Sequence, residues 1–317
     1  MKKTKLSNSQ NVLHLKKRRY AAGHWELFSM VLPAIIYVFV FCYIPMYGLV
    51  IAFKDYKYSL GIFGSDWVGF KNFEYIFGSN TLYTLVRNTL GYNLVFNVLG
   101  VVVPVFLALM LFTISKKWPI KIFQSSMFIP NFLSWIVVSY ISYAFLKSEI
   151  GFINAFLIKM GWENISFYTE PKYWPLILTL FNVWKGAGYS TLMYYGAMLS
   201  ISPELYEAAE LDGCNYVKKH WYVTLPHIKG TIIILVILSI GSICRSDYGL
   251  FYYLPQNSGS LYPVTDVLDT YIMRAVTISG SLGQSSAFGF MQSIVGFILV
   301  ITTNAVVKRI DPDNSLF

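Results

Sequence analysis

Six long apolar stretches constrain this chain more than any other feature of its sequence. A bilayer has a hydrocarbon core about 30 Å thick, so a helix needs about 20 consecutive apolar residues to cross it. Stretches of that length lie at about 28–52, 89–113, 122–146, 174–199, 230–254 and 288–307. Only 13% of the 317 residues are charged, against about a quarter in soluble domains. The sequence therefore predicts an all-α, polytopic membrane protein with six transmembrane helices in a lipid bilayer.

The distribution of Lys and Arg predicts which side of the membrane each loop faces. With the N-terminus in the cytosol, 15 of the 25 Lys and Arg residues fall on the cytosolic side, in segments 1–27, 114–121, 200–229 and 308–317. Eight fall on the outer side, in segments 53–88, 147–173 and 255–287. Cytosolic loops carry the excess of positive charge in membrane proteins. We therefore expect both termini in the cytosol, a basic cytosolic tail over 1–27 and a transmembrane domain over 28–317. The net charge of +9 is assigned to this topology and not to a nucleic-acid partner.

Residues 200–229 form the longest cytosolic loop between spans, and their sequence predicts two short helices. Ser202 suits the N-cap position, and the proline after it suits the first helical turn. Gly213 is expected to end this helix. A second helix is predicted over 215–224 and is expected to stop before the fifth span at Pro226. The loop is thus predicted to form a knob that projects into the cytosol.

The same loop carries apolar residues that an ordinary solvated loop would not need. They are Leu205, Tyr206, Leu211, Val217 and Trp221. Clustered apolar residues at a surface mark contact sites, and we expect Ala208 and Ala209 to be exposed so that another protein's backbone can come close. The loop is therefore interpreted as a docking site for a protein; the alternative is an ordinary loop between two spans.

A spaced motif in this loop resembles the EAA loop of ABC-importer permeases, which fits a cleft on the ATP-hydrolysing subunit. It reads Glu207-Ala208-Ala209, three residues, Gly213, nine residues, Val223, one residue, then Leu225-Pro226. Isoleucine is commoner in the family where Val223 stands. Further stretches that resemble the sugar-uptake permeases are LPAIIYVFVFCYIPMYGLVIAFKDY, WVGFKNF, VRNTL, SISPELYEAAELDG and DTYIMRA. The resemblance implies a type I ABC importer permease fold, like that of maltose permeases, in the bacterial cell membrane. Within the family, the chain looks most like permeases for lipo-oligosaccharides and polysaccharides.

The resemblance also implies which residues couple to the ATPase and which partners the chain has. The ATPase-coupling residues it implies are Glu204, Glu207, Ala208, Ala209, Gly213, Leu225 and Pro226. The implied partners are two cytosolic ATP-binding subunits, a second and usually non-identical homologous permease, and an extracytoplasmic solute-binding protein. The chain has no G-x-x-x-x-G-K-[ST] phosphate loop, so it is not expected to hydrolyse ATP by that route. No cofactor, metal site or catalytic residue is expected.

The outer loop at 53–88 is rich in aromatic residues, among them Trp67, Phe70, Phe73 and Tyr75. The resemblance implies that the solute-binding protein docks on this loop. The alternative is that the loop packs on its own bundle, because a folded loop also needs an aromatic core.

Ionisable residues inside the predicted spans are functional candidates, because each is costly in the membrane unless it is paired or hydrated. Lys185 lies about 16 Å into the fourth predicted span at 1.5 Å per residue. Arg245 and Asp247 come late in the fifth predicted span and, two residues apart, point to different faces. The aromatic and amide residues that suit sugar rings are Asn131, Trp135, Trp184, Tyr189 and Tyr194. We expect these residues to line a solute pathway; the alternatives are helix packing and, for Lys185, a hydrogen bond that fixes the bundle.

The sequence is thus interpreted as the permease subunit of an ABC importer, with an oligosaccharide or polysaccharide fragment as the solute class that the resemblance implies. One alternative is a permease for an amino acid, a metal or another small polar solute. A second is a multi-span enzyme acting on lipid or glycan, which predicts clustered His, Asp or Glu at one membrane face. The densest acidic group instead falls in the docking loop, at Glu204, Glu207, Glu210 and Asp212.

Overall fold

The computed structural model describes residues 25, 27–77, 81–149, 151–278 and 280–311, and these residues are mostly helical. The helices are α1 (Leu27–Phe53), α2 (Gly61–Gly64), α3 (Lys71–Phe77), α4 (Leu82–Phe112), α5 (Lys117–Phe132), α6 (Trp135–Leu146), α7 (Phe152–Lys159), α8 (Trp174–Leu199), α9 (Pro203–Leu211), α10 (Tyr216–Gly241), α11 (Tyr248–Tyr253), α12 (Tyr262–Thr265), α13 (Leu268–Thr277) and α14 (Leu282–Ile310). Two short antiparallel strands, β1 (Lys54–Asp55) and β2 (Asp66–Trp67), form the only sheet in the described part. The predicted basic tail at 1–27 lies outside the described residues, apart from residues 25 and 27.

Four helices in the described part are long and apolar enough to cross a membrane. They are α1, α4, α10 and α14, and the bent pair of α5 and α6 would make a fifth if it is counted as one span. The first, second and sixth predicted stretches therefore coincide with α1, α4 and α14. The fourth predicted stretch, 174–199, coincides with the whole of α8, although α8 is not among the helices that pass on length and apolar composition.

The third predicted span, 122–146, is wrong as a single helix. The chain breaks after α5 and turns by 99° into α6. Leu133 and Ser134 adopt extended backbone conformations, with ψ of 131° and 151°. The Ser134 hydroxyl accepts a hydrogen bond from the Val137 N–H at 3.3 Å, so Ser134 is the N-cap of a new helix. Apolar composition alone predicted one helix because the break adds only a single polar residue to an apolar run.

The fifth predicted span, 230–254, is also wrong in its bounds. The helix α10 begins at Tyr216 and ends at Gly241, and α11 is a separate short helix. The predicted second helix of the knob is therefore the first part of α10, and Pro226 does not stop it. A π-helical turn at His220–Thr224 lies just before the proline. Proline removes one N–H donor from a helix, and the wider π turn changes the hydrogen-bond register there, so the chain stays helical.

The described core shows which elements meet at each end of α8. At its start, the buried cluster contains Tyr92, Trp174, Leu178, Leu250, Phe251, Leu254 and Leu261. Near its end, the buried cluster contains Val105, Ala108, Tyr194, Met198, Ile201 and Ile228. The 26 residues of α8 span about 39 Å at 1.5 Å per residue. Consequently α11 and α12 lie at one end of the bundle, and α9, which follows α8, lies at the other.

A close approach between α8 and α5 gives a first testable prediction. Gly188 is buried, and a Cβ added to it would overlap the backbone carbonyl of Met127 on α5. Gly188→Ala is therefore expected to push the two helices apart and to cost about 1–3 kcal/mol of stability. The measurement is the melting temperature of the purified subunit in detergent. Gly186→Ala, on the same helix, is the matched control, because nothing lies within 4 Å of its added Cβ. Equal melting temperatures for the two variants would contradict this packing.

Candidate functional site

The helix α9 has the start and end that the sequence predicts. Ser202 occupies the N-cap position, although its hydroxyl makes no capping hydrogen bond. At the other end Gly213 has a φ of 76°, its N–H donates to the Glu210 carbonyl at 3.0 Å, and the Cys214 N–H donates to the Ala209 carbonyl at 2.9 Å. This pair of hydrogen bonds is the Schellman motif, which needs a left-handed residue after the helix. The turn therefore depends on glycine at position 213.

The surface of α9 is split between exposed and buried residues. Glu204, Glu207 and Ala208 are exposed, whereas Ala209 is only 9% exposed. The expectation that both alanines are exposed is therefore wrong for Ala209, which packs towards the bundle. At the tip of the knob, Leu211 is 89% exposed. One face of α9 thus combines carboxylates with a small residue and ends in an uncovered leucine.

Side chains tie α9 to the bundle. The Tyr206 hydroxyl lies 2.9 Å from the Thr224 hydroxyl on α10, and the Tyr206 ring lies 5.6 Å from that of Phe112 at the end of α4. Glu210 forms an ion pair with Lys219 at 3.1 Å. These contacts join α9 to both α4 and α10, two of the long helices.

The remaining residues of the spaced motif lie at the base of the loop. Val223 and Leu225 pack against the buried cluster at the end of α8, and Pro226 is exposed on the first part of α10. The motif is therefore spread over three parts of the knob: the exposed face of α9, the glycine turn, and the helix that leads into the bundle.

A second prediction tests the glycine turn. Gly213→Ala is expected to destabilise the subunit by about 1–2 kcal/mol, because a left-handed residue with a Cβ is strained. Gly213→Asn is the matched control, because asparagine tolerates the left-handed region better than alanine. Both melting temperatures are measured in detergent. If the alanine variant is as stable as the asparagine variant, the positive φ at this turn is not required.

Lys185 is on α8, and its side chain reaches the break between α5 and α6. Its ammonium has several partners there. Its Nζ donates to the carbonyl of Leu133 at 2.7 Å and to that of Asn131 at 3.0 Å, with the Pro130 carbonyl at 3.5 Å. It also lies 5.3 Å from the centre of the Trp135 ring. The last carbonyls of a helix have no partners within the helix. Lys185 supplies such partners at the end of α5, which is the alternative role that the sequence analysis gives for this lysine.

Trp135 connects this lysine to Asp247. The Trp135 Nε1 donates to the Asp247 Oδ2 at 2.5 Å, and the other carboxylate oxygen accepts from the Gly249 N–H at 2.8 Å as the N-cap of α11. Asn131 joins the group through its backbone carbonyl. The structure therefore brings together four of the residues predicted for a solute pathway, and their contacts hold the ends of three helices.

Arg245 belongs to a different contact set. Its guanidinium donates to the Ser293 hydroxyl on α14 at 3.0 Å, while Asp247 bonds to Trp135, so the two charged residues have separate partners, as their spacing predicts. Both lie in the break between α10 and α11 and not in a helix, because α10 ends at Gly241.

Three residues that the sequence analysis did not single out hold this break. Asn93 donates to the carbonyl of Ile243 at 2.9 Å, Gln292 donates to that of Cys244 at 2.8 Å, and Asp269 accepts from the Ser246 N–H at 2.6 Å. Burial raises the pKa of the Asp269 carboxyl above its usual range. Asn93 and Gln292 are amides in otherwise apolar runs, and that signal could have identified them.

A cavity of about 250 Å³ brings together Tyr189 and Tyr194. Its polar lining comes from Asn97, Ser190 and Ser239. Tyr194 is only 1% exposed and packs in the core. The Tyr189 ring is stacked on that of Phe128 at 6.2 Å.

Trp184 lies outside this lining. Its ring meets that of Phe181 edge-on, with ring centres 6.1 Å apart. The eight pathway candidates therefore do not form a single site in this subunit.

The loop at 53–88, which the sequence predicts to lie on the outer side, packs partly on its own bundle. The ring of Phe53 is stacked on that of Trp67 at 5.7 Å and lies 5.4 Å from that of Phe73, which in turn contacts Phe290 on α14. Trp67 and Phe70 nevertheless remain exposed. The side chain of Tyr75 lies outside the described residues. The alternative of self-packing thus holds for Phe73, and an exposed aromatic surface remains beside it.

Comparisons with known proteins give a consistent result. A family model described as "Binding-protein-dependent transport system inner membrane component" matches residues 85–315. The chain is 36% identical over 283 residues to the polygalacturonan/rhamnogalacturonan transport system permease protein YteP of Bacillus subtilis (strain 168), covering 89% of this chain and 88% of the relative. It also matches a chain in the crystal structure of a bacterial ABC transporter involved in the import of the acidic polysaccharide alginate. That match has a TM-score of 0.83 and 30% identity, covering 93% of this chain and 99% of the other. A second structure of a bacterial alginate ABC transporter, in complex with an alginate pentasaccharide-bound periplasmic protein, matches with a TM-score of 0.82 and 30% identity over 92% and 97% of the two chains.

Proposed function

We infer that this chain, which belongs to the family of inner membrane components of binding-protein-dependent transport systems, is the permease through which an importer moves a saccharide. It is a multi-pass cell membrane protein and a transport subunit, with the type I ABC permease fold. The solute class we propose is an oligosaccharide or a polysaccharide fragment. It rests on the polygalacturonan/rhamnogalacturonan permease and the alginate transporter that the chain resembles.

The observation that carries the proposed mechanism is the geometry of α9. Its exposed carboxylates, its exposed Ala208 and the uncovered Leu211 form a small projecting surface. Its contacts to Thr224 and Phe112 lead into α10 and α4. We propose that two cytosolic ATP-binding subunits, one on this chain and one on a second homologous permease, close on ATP and pull on this surface. The long helices then rock between outward-open and inward-open states.

We further propose a topology of six membrane crossings with both termini in the cytosol, following the Lys and Arg distribution. Two more crossings are needed besides the four apolar helices, and we assign them to the bent pair α5–α6 and to the helix α8. The latter is less apolar because it carries Lys185, which already has carbonyl partners. On the outer side, an extracytoplasmic binding protein would deliver the solute. This part of the proposal is supported by the matched alginate transporter, which is in complex with an alginate pentasaccharide-bound periplasmic protein.

A solute panel tests the proposed class. The binding protein that co-purifies with the assembled transporter is screened by thermal shift against oligogalacturonides, alginate oligosaccharides, arabino-oligosaccharides and amino acids. The stabilising solute is then followed in uptake by cells with and without this permease. We expect a saccharide to raise the melting temperature and its uptake to require the permease. Stabilisation by an amino acid alone would replace the saccharide with another solute class.

A further inference from the structure

A second cavity, of about 510 Å³, lies between α6 on one side and the end of α11 with the segment that follows it on the other. Its lining includes Ser139, Tyr140, Tyr252, Tyr253, Gln256 and Asn257. This volume is within the range of about 300–1,000 Å³ that small-molecule sites occupy. The cavity is separate from the one that contains Tyr189 and Tyr194, because the two have no lining residue in common.

The cavity lies at the end of the bundle opposite to α9. Ser258, next to the lining residue Asn257, donates from its hydroxyl to the Tyr168 carbonyl at 3.0 Å. The Tyr168 ring contacts that of Trp174, the first residue of α8, at 5.4 Å. Since α9 follows the last residue of α8, the cavity and the coupling surface are separated by about the length of that helix. A solute delivered on the outer side would meet this cavity early in its passage.

The lining offers both flat apolar faces and neutral hydrogen-bonding groups. The rings of Tyr248 and Tyr252 are stacked at 4.8 Å, and those of Tyr252 and Tyr253 are perpendicular, with an interplanar angle of 88°. Tyr140 on the opposite wall is 70% exposed. Phenol hydroxyls and carboxamides can both donate and accept hydrogen bonds. Sugar rings present the same combination, an apolar C–H face with hydroxyls around its edge, whereas an acyl chain would leave these polar groups without partners.

The backbone at the rim of the cavity is unusual. Gln256 and Asn257 have φ values of 53° and 48°, and they are the only non-glycine residues with positive φ in the described part of the chain. Their conformation is held by the Tyr262 hydroxyl, which donates to Asn257 Oδ1 at 3.0 Å, and by the Asn257 N–H, which donates to the Tyr252 carbonyl at 3.0 Å. Such residues persist only where their surroundings impose the conformation, and they cluster at ligand sites. Here the conformation places two carboxamide residues in the lining of the cavity.

We propose that this cavity is a saccharide-binding subsite at the outer mouth of the permease, with Tyr140 and Tyr253 as ring-stacking residues and Gln256 as a hydroxyl-binding residue. The proposal rests on the saccharide class given under the proposed function. Because the residues that line the cavity are neutral, the subsite binds ring faces and hydroxyls. It does not discriminate between acidic and neutral sugars by charge.

The test measures saccharide binding to the assembled transporter in nanodiscs by saturation-transfer NMR, with oligogalacturonide, alginate and arabino-oligosaccharide pentasaccharides as probes. Tyr140→Ala is expected to weaken binding of the transported saccharide by about tenfold through loss of one stacking face. Tyr140→Phe, which keeps the ring, is expected to change it less than about twofold. Gln256→Gly is expected to weaken binding by about threefold while leaving the melting temperature equal or about 2 °C higher, because glycine adopts a positive φ without strain.

The control is Tyr83→Ala, because Tyr83 on α4 is 75% exposed and thus matches Tyr140 in exposure. It is expected to bind saccharide as the unsubstituted transporter does. If the Tyr140→Ala and Gln256→Gly transporters both take up saccharide and both bind it as tightly as the unsubstituted transporter, the subsite is overturned and the proposed function stays intact. Loss of the second permease from the purified Tyr140→Ala complex would assign the cavity to a subunit interface and also overturn it. Absence of any saccharide uptake by the unsubstituted transporter would instead overturn the proposed function, and the subsite with it.

Discussion

Lys185→Met is expected to lower the amount of folded subunit and solute uptake in parallel. The substitution removes the donor for the carbonyls of Leu133 and Asn131, which lie at the end of a helix that turns by 99°. An acceptor left without a partner away from water costs about 1–3 kcal/mol. The half-buried Leu133 carbonyl and the lost contact to the Trp135 ring together give about 2–4 kcal/mol. The α5–α6 break should lose its fixed geometry as a result. The measurements are monodisperse yield and melting temperature in detergent, together with uptake in cells.

Two control variants separate this role from a direct contact with solute. Lys185→Arg keeps donors at the break and is expected to recover much of the folded yield. Lys172→Met removes an exposed lysine before α8 and is expected to leave yield and uptake unchanged. If Lys185→Met folds normally while uptake is lost, the lysine acts on the solute pathway and its carbonyl contacts are dispensable.

The same lysine shows why the third span could not be predicted from sequence. A window over 122–146 measures apolar composition along the chain, and that quantity is continuous through the break. What permits the break is a donor about fifty residues away, on α8, that supplies partners for the freed carbonyls. Nothing in a local window reports a contact of that separation. An end that is set by local chemistry, such as the end of α9 at Gly213, was predicted correctly.

In the candidate site, too, features that depend on local chemistry were predicted, whereas features that depend on long-range packing were missed. The turn at Gly213 follows from the conformational freedom of one residue, so the sequence was sufficient to predict it. The burial of Ala209 depends on how α9 packs, and the helix through Pro226 depends on a π turn, so both were missed. Lys185 and Asp247 were singled out as pathway candidates because a charge in a membrane is costly, and Trp135 because an aromatic ring suits a sugar. Their assembly into one connected group required the bend between α5 and α6 and the break before α11.

Glu207→Lys is expected to release the ATP-hydrolysing partner and to abolish solute uptake without changing the amount of the subunit. Glu207 is exposed on α9, so the reversal leaves the packing of the knob intact. Glu207 also lies in a loop whose sequence is not needed for membrane insertion, so the substitution is not expected to alter the topology. In the proposed docking arrangement a cation of the ATPase faces this carboxylate, and the substitution replaces attraction by repulsion in a desolvated interface, at a cost of about 2–5 kcal/mol.

That cost corresponds to a loss of about one and a half to three and a half powers of ten in association. The measurement is recovery of the ATPase with tagged permease from detergent-solubilised membranes, alongside uptake. Lys218→Glu is the matched control, since Lys218 is an exposed charge near the start of the next helix, α10. It is expected to retain the ATPase, because surface charges outside a desolvated contact contribute little. Normal ATPase recovery and normal uptake with Glu207→Lys would mean that this face of α9 does not carry the coupling, and that the loop is an ordinary connection between two spans.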